Sequence, residues 1–379
     1  MIFPLFLLFT AFISSLSAII MLRPFALKIG LTDKPDIRKT HVGEIPLVGG
    51  ISVYLGLSVA GIMILLFSPN HVEQLMTYLF ASLLMVITGI LDDRFGLSVK
   101  VRIVVQVVIS LIMMFVAGDA ILSLGKIFYF WDFNLGYFGY PFTIIAVLAA
   151  INAYNMVDGI DGLIGGVSVA TFTSLAILFY ISVDMREAFF CLLCLAVLVP
   201  YLLYNLQLTK YCKGKIFMGD AGSMFIGFTV VWLLAIGSQV ATSGTSADTS
   251  SFKPVVALWL VALPLIDMAS IMLRRIKKGG SPFRPDRDHL HHIFMRAGFS
   301  SRATLVIITL LALFLSLIGV VATIYQIPEW IQFIAFLSLF FGYKYALRRI
   351  WRLLRVHRKM KAYRRLITRN HYRKKYAKK

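Results

Sequence analysis

Apolar runs follow one another along the chain at roughly 2–22, 46–67, 72–91, 101–117, 141–157, 162–182, 187–207, 222–241, 254–273, 303–325 and 328–347. Each is close to the ~20 apolar residues that a helix needs to cross the hydrocarbon of a bilayer. Backbone facing lipid must satisfy its own hydrogen bonds, and a single continuous segment does so as a helix. The pattern therefore predicts an all-α polytopic integral membrane protein with about 11 transmembrane helices. The run at 141–157 is the weakest, because Asn152 and Asn155 fall inside it. The first run lacks the preceding positive charge of a signal peptide. Arg23 follows it instead, so it reads as a first span.

Composition agrees with this reading. Of 379 residues, 59% are hydrophobic and only 15% charged, too apolar for a soluble fold with a hydrated surface. Cys191 and Cys194 form Cys-Leu-Leu-Cys inside an apolar run with no second pair. With Cys212 they make no metal or redox motif and read as small packing residues. No internal repeat is visible.

Charge then orients the spans. With the N-terminus outside, the inside segments hold Arg23, Lys28, Lys34, Arg38 and Lys39, then Arg94, Lys100 and Arg102, then Lys210, Lys213 and Lys215. Eight more basic residues lie between Arg274 and Arg302. The outside segments hold only Lys126, Arg186 and Lys253. The excess of Lys and Arg marks the cytoplasmic side, so the N-terminus is expected in the periplasm and the C-terminus in the cytoplasm. One transmembrane domain is expected over 1–347, with cytoplasmic loops at 23–45, 92–100, 158–161, 208–221 and 274–302. The tail 348–379 has fifteen Lys and Arg and no acid. Anionic lipid head groups explain it better than nucleic acid does. Membrane lipids are thus expected partners and nucleic acid is not. The outside segment 118–140, rich in aromatic residues and glycine, reads as a small hairpin or interfacial piece.

The acids are distributed unevenly. Asp92 and Asp93 fall where the third span meets the cytoplasm, Asp158 and Asp161 at the junction of the fifth and sixth, and Asp220 just before the eighth. A lone acid at such a place reads as a solvated helix end, or as an N-terminal acid favoured by the helix dipole. Five of them at one membrane depth read as a site, because ionisable groups near the membrane core are costly. Crowded carboxylates repel, and a bound cation removes that cost. Hard oxygen ligands suit magnesium or manganese. Asp158 and Asp161 are three apart and share a face if helical. Gly159, Gly162, Gly165 and Gly166 permit close approach of a ligand or of a neighbouring helix. Helix-packing glycines of this kind also leave a homodimer open. The turn Gly219-Asp220-Ala221-Gly222-Ser223 feeds a helix whose free N–H groups would attract phosphate. In the last inside loop, Arg284, Asp286, Arg287 and Asp288 precede His289, His291 and His292. Zinc is one reading of the histidines; binding or protonating nucleotide phosphates, with Arg287, is the better one. Asp267 reads as a partner of Arg274 or Arg275, outside the site.

These motifs in order resemble the polyprenyl-phosphate N-acetylhexosamine-1-phosphate transferase family, over about residues 30–300. They are Asp33-Lys34-Pro35-Asp36 with Arg38, Lys39, His41 and Pro46-Leu-Val-Gly-Gly50; Leu91-Asp-Asp-Arg94; Asn152 to Gly162; Phe217 to Ser223; and His289-Leu-His-His292. The histidine motif and the Ser-Pro-Phe before it look like the branch that uses UDP-N-acetylglucosamine and undecaprenyl phosphate. The branch that takes the muramoyl-pentapeptide nucleotide carries a lysine where this chain has Gly43-Glu44-Ile45, which counts against that donor.

The resemblance implies transfer of N-acetylglucosamine-1-phosphate from UDP-GlcNAc to undecaprenyl phosphate with release of UMP. This would be the first membrane step of a cell-envelope polysaccharide of the O-antigen or common-antigen type, at the bacterial inner membrane. It further implies Mg2+ or Mn2+ at Asp220, and Asp92 and Asp93 near the lipid phosphate, one of them suggested as a base. Asn155 and Asp158 would belong to the central polar site. Asp161, Asn205 and Phe217 would line the uracil pocket, Phe217 by stacking, and Arg102 would stand where the other branch has an active-site lysine. The rival readings are the muramoyl-pentapeptide donor, a transporter using the acids as a relay, and a scaffold without catalysis. A transporter's acids belong near the bilayer midplane in repeated halves, which is not the pattern here.

Overall fold

The computed structural model describes residues 2–34, 43–67, 72–212, 214–239, 250–281 and 289–350. Arg287 and the tail from 351 onward, both singled out above, lie outside these residues.

Every apolar run forms helix. In chain order, α1 is Ile2–Ile29, α2 Gly49–Phe67, α3 Val72–Phe95, α4 Val99–Phe115, α5 Gly139–Val157, α6 Leu163–Ile181, α7 Met185–Asn205 and α8 Gly219–Ser238. Then come α9 Pro254–Leu260, α10 Ala262–Lys277, the short α11 Leu290–Arg296, α12 Ser301–Ile324 and α13 Glu329–Ile350. Among the described residues, nine helices are long and apolar enough to cross a membrane, or ten with the bent pair α9–α10. The remaining run is α4, whose 17 residues sit at the short limit for a span. Among the described residues, strand is confined to β1 (Thr32–Asp33) and β2 (Ile45–Pro46), an antiparallel pair before α2. The chain is an all-α polytopic membrane protein.

The weak run is a sound helix. Asn152 donates to its own helix at the Leu148 carbonyl (2.7 Å) and to Gln106 Oε1 of α4 (3.0 Å), so its amide is not left bare in lipid. The run at 254–273 departs from expectation. It is two helices meeting at 80°. Pro264 has no N–H to reach the Leu260 carbonyl, and its ring crowds that oxygen. The carbonyl accepts from Thr171 Oγ1 of α6 instead (3.3 Å). Cys191 and Cys194 are buried and unbridged in α7, as packing residues.

The centre of the bundle is α8. Its most apolar stretch is 94% buried, against 11% for α13, and it packs on α2, α3 and α5. Backbone meets backbone at its start. A Cβ on Gly50 would lie 2.1 Å from the Gly222 nitrogen, and one on Gly89 would lie 2.2 Å from Ala221 Cα. The segment before α8 is tied to α2 in the same way: Phe217 N–H donates to the Pro46 carbonyl (2.9 Å), and the Gly49 and Gly50 N–H groups donate to the carbonyls of Phe217 (2.9 Å) and Met218 (3.0 Å). The Pro46-Leu-Val-Gly-Gly50 motif is therefore a docking strip for the start of α8.

The opposite end of the bundle is closed by a hairpin in the 118–140 segment, paired at Ser123 and Asn134. Gln239 at the end of α8 accepts from Leu122 and Ser123 N–H (3.0 Å each). Glu329 at the start of α13 accepts from Lys126 N–H (3.0 Å).

The Gly50 contact makes a stability prediction. Gly50→Ala forces α2 off α8 and costs about 1–3 kcal/mol, as overpacking does. Gly342→Ala, where a Cβ meets nothing within 4 Å, should leave thermal unfolding of the detergent-purified protein unchanged. Equal unfolding temperatures for both variants would contradict the docking-strip reading.

Candidate active site

The ends of α3, α5, α7 and α10 and the starts of α6 and α8 converge at one end of the bundle. The first turn of α8 leaves N–H groups without helical partners. Asp93 reaches them from α3: Oδ1 accepts from Asp220 N–H (2.9 Å) and Oδ2 from Ala221 N–H (3.2 Å). Gly219 makes room for this. Its φ is +72°, and a Cβ there would lie 2.5 Å from Asp93 Oδ2. The phosphate seat expected at this turn is thus filled by a carboxylate of the same chain.

Asp92 is buried and also fully engaged. Its Oδ1 accepts from Leu97 N–H (2.8 Å) and its Oδ2 pairs with Arg102 Nη1 (2.8 Å). The two adjacent aspartates therefore hold different things. Asp93 fixes α8, and Asp92 fixes the turn into α4 and the guanidinium of Arg102. Asp220 stands next to Asp92 and Arg102. Its Oδ1 accepts from Asn155 Nδ2 (2.7 Å), which also reaches Ser223 Oγ (3.0 Å). Asp158 ends α5, where Asp220 and Asp161 act on it electrostatically. Burial, with those two acids adding to it, pushes its carboxyl up to about 7. The five aspartates do meet at one place.

Beside them lies a second, smaller group. Asp161 Oδ2 pairs with Lys215 Nζ at 2.5 Å, and that ammonium sits 5.1 Å from the centre of the Phe217 ring. A carboxylate, a cation and a half-buried aromatic face together suit a base and its attached phosphate. Asn205 does not face this pocket freely. Its Oδ1 accepts from Gly162 N–H (2.5 Å) and its Nδ2 donates to the Ile216 carbonyl (2.8 Å). It is 2% exposed. These bonds clamp Gly162 and Ile216, the neighbours of Asp161 and Phe217.

The histidine arm enters from α11. Asp267 of α10, expected to pair with Arg274 or Arg275, accepts from other groups. Its Oδ2 bonds His289 Nδ1 (3.0 Å), and its Oδ1 accepts from Leu290 N–H (3.2 Å) and Tyr343 O–H (2.7 Å). This fixes the arm's root. His291 stacks on His289 with ring centres 5.8 Å apart, and His292 lies 4.2 Å from His291. His291 is buried, its Nε2 has no hydrogen-bond partner, and it points at Gly159, where a Cβ would come within 2.2 Å of it. Burial, then His292 and His289, lowers its pKa to about 3. Burial thus favours its neutral imidazole form. Sequence reasoning missed Lys215, seen only as an orienting charge, and Asp267 with Tyr343. Only the spacing of Lys215 two residues before Phe217 offered a signal.

Among the described residues, no three His, Cys, Asp or Glu side chains converge as a metal cage. Magnesium and manganese need less, since one or two carboxylates suffice when waters and substrate phosphates complete the shell. Asp220, steadied by Asn155 and neighboured by Asp92 and Asp158, fits that pattern of hard donors.

His291 yields a pH prediction. Its ring should stay uncharged down to about pH 3, whereas in the unfolded chain it takes up a proton near about pH 6.5. Its contribution to stability is thus present above about pH 6.5 and is lost as pH falls towards the folded value. His291→Gln should flatten that part of the unfolding-temperature profile. A histidine NMR signal that titrates near neutrality and vanishes in the variant would refute the assignment.

Comparison with known proteins bears on this geometry. Residues 75–238 match the model of glycosyl transferase family 4, a stretch that includes all five aspartates. The undecaprenyl-phosphate alpha-N-acetylglucosaminyl 1-phosphate transferase of Yersinia pestis is 45% identical over 92% of this chain and 93% of its own length. The proteins of that name from Salmonella typhi and Escherichia coli K12 are 44% and 43% identical, over 93% and 89% of this chain and 94% and 89% of theirs. On this identity over nearly full length, the chain belongs to glycosyl transferase family 4 and, within it, to the family of these sugar-phosphate transferases.

Proposed function

We propose that the protein transfers N-acetylglucosamine-1-phosphate from UDP-GlcNAc to undecaprenyl phosphate, forming undecaprenyl-diphosphate-GlcNAc and UMP. The observation that carries this is the adjacency of two groups at one buried end of the bundle: Asp220 among Asp92, Asp93 and Asp158, and the Lys215–Phe217–Asp161 edge. The first suits a diphosphate and its counterion. The second suits a nucleotide. The site end also bears most of the Lys and Arg loops, which supports a cytoplasmic site in the bacterial inner membrane. The single body 1–347 and the membrane-binding tail 348–379 belong to the same reading, as does use in an O-antigen or common-antigen pathway. The names of the relatives favour N-acetylglucosamine over the muramoyl-pentapeptide donor.

In this reading Phe217 stacks on uracil, and Asp161 with Lys215 holds the nucleotide edge. Asn155 keeps Asp220 aimed at the diphosphate. Arg102, braced by Asp92, meets a phosphate oxygen, and so do Arg287 and the arm of His289, His291 and His292. A non-bridging oxygen of the lipid phosphate attacks the sugar-bound phosphorus. The bond from that phosphorus to the bridging oxygen breaks, and UMP leaves with the electron pair. A phosphate monoester is largely ionised at neutral pH, so no strong base is needed. Asp92 and Asp93, with their oxygens already engaged, act by positioning. Asp158, for which no hydrogen-bond partner is seen among the described residues, is the acid left open to substrate. A magnesium or manganese ion held by Asp220 would neutralise the diphosphate and the departing UMP.

Purified protein supplied with magnesium, labelled UDP-GlcNAc and undecaprenyl phosphate should move label into lipid, with one UMP released per transfer. Label that remains water-soluble sinks the assignment. Asp220→Asn should abolish the metal-dependent release of UMP. Lys215→Ala should raise KM for UDP-GlcNAc about tenfold with kcat nearly kept, the signature of lost uniform binding to a charged group.

A further inference from the structure

A second basic site lies outside the transferase machinery. At the site end of the bundle, α10 and α13 diverge around a cleft of about 270 Å³. Lys277 and Lys278 line it from α10, beside Arg274, and Lys344 and Arg348 from α13; among the described residues no acid lines it. Cations gathered this closely repel one another. The hydroxyl of Ser270 also faces the cleft, and its oxygen is buried without a hydrogen-bond partner. A buried unpaired hydroxyl is itself costly. One anionic oxygen acceptor would relieve both.

None of the site aspartates lines the cleft. Its outer wall, α13, is the least buried of the spans. Below the two cations, Ile334, Leu337 and Phe341 are exposed on α13. With Lys344 and Arg348 they are spaced 3, 4, 3 and 4 residues apart, which puts all five on one stripe of the helix. Ile271 and Leu347 complete the cleft with apolar surface. Charge at the head and an apolar track beneath it match a phospholipid, whose phosphate takes the cleft and whose acyl chain runs down the stripe.

We infer that the cleft between α10 and α13 is a binding site for one anionic phospholipid. The same two helices jointly hold the histidine arm, because Tyr343 of α13 donates to Asp267 of α10 (2.7 Å). A phosphate bridging Lys344 and Lys277 draws together the helices on either side of that bond. Membrane charge is thereby connected to the root of the histidine arm.

The test is native mass spectrometry of the full chain, released from vesicles of phosphatidylcholine with phosphatidylglycerol. The wild type should carry one phosphatidylglycerol preferentially. K277Q/K344Q/R348Q should lose it. A control with the same charge removed from the tail, R369Q/K374Q/K375Q, should keep it. Inorganic phosphate should not displace it. Retention by the cleft variant, loss in the tail control, or an adduct with the mass of undecaprenyl phosphate would each overturn the proposal. If the cleft variant is poorly folded by circular dichroism, the wild type decides alone: equal retention of the two phospholipids overturns the site. These readouts are independent of transferase activity, so they stand apart from the functional reading above.

Discussion

The first turn of α8 is buried where neither water nor lipid can serve its N–H groups. Asp93 serves them from α3, and the fold around the site follows from that contact. For the carboxylate to reach, α3 must lie against α8 with backbone touching backbone, which Gly89 and Gly219 permit. For α8 to begin at that point, the chain before it must be held extended against the start of α2, which Pro46, Gly49 and Gly50 do. Once α8 is fixed, Asp220 is fixed, and Asn155 of α5 meets it. A satisfied helix end thus sets the depth of the acid best suited to a divalent cation.

The same economy explains why the aspartates differ despite equal chemistry. Asp92 and Asp93 are neighbours in the chain, but on a helix they face different elements. One anchors a guanidinium and the other a helix terminus. Asp158, beyond the end of α5, has no such cation or N–H group engaging it among the described residues, and burial pushes its carboxyl up to about 7. Equal side chains thus hold a cation, a helix end and an open position.

Much of this was legible in the sequence, and the limits have physical causes. Apolar runs of span length disclose helices because lipid imposes that rule on every segment alike. The break at Val261 was hidden because Pro264 sits where a helix tolerates proline in a first turn, and only Thr171, some ninety residues earlier, makes the freed Leu260 carbonyl acceptable. The five aspartates were visible as polar residues at apolar boundaries. Asn205 was placed at the uracil pocket by resemblance, and local spacing does not tell that its amide also bonds Gly162 and Ile216. Asp267 had two arginines close by in sequence and took a histidine and a tyrosine from afar. Partners at long range are set by packing, which local spacing does not encode.

The outermost helix illustrates a different point. Glu329 ties the beginning of α13 to the hairpin, and Tyr343 ties its far part to α10. The two ties lie fourteen residues apart, or about 21 Å along a helix. A helix held at two such points breaks a tie if it slides or rolls against its neighbours. When bilayer thickness changes, a loosely packed span adjusts by tilting. For this one, tilting carries the added cost of a tie at either end, so part of any mismatch falls on the surrounding lipid instead.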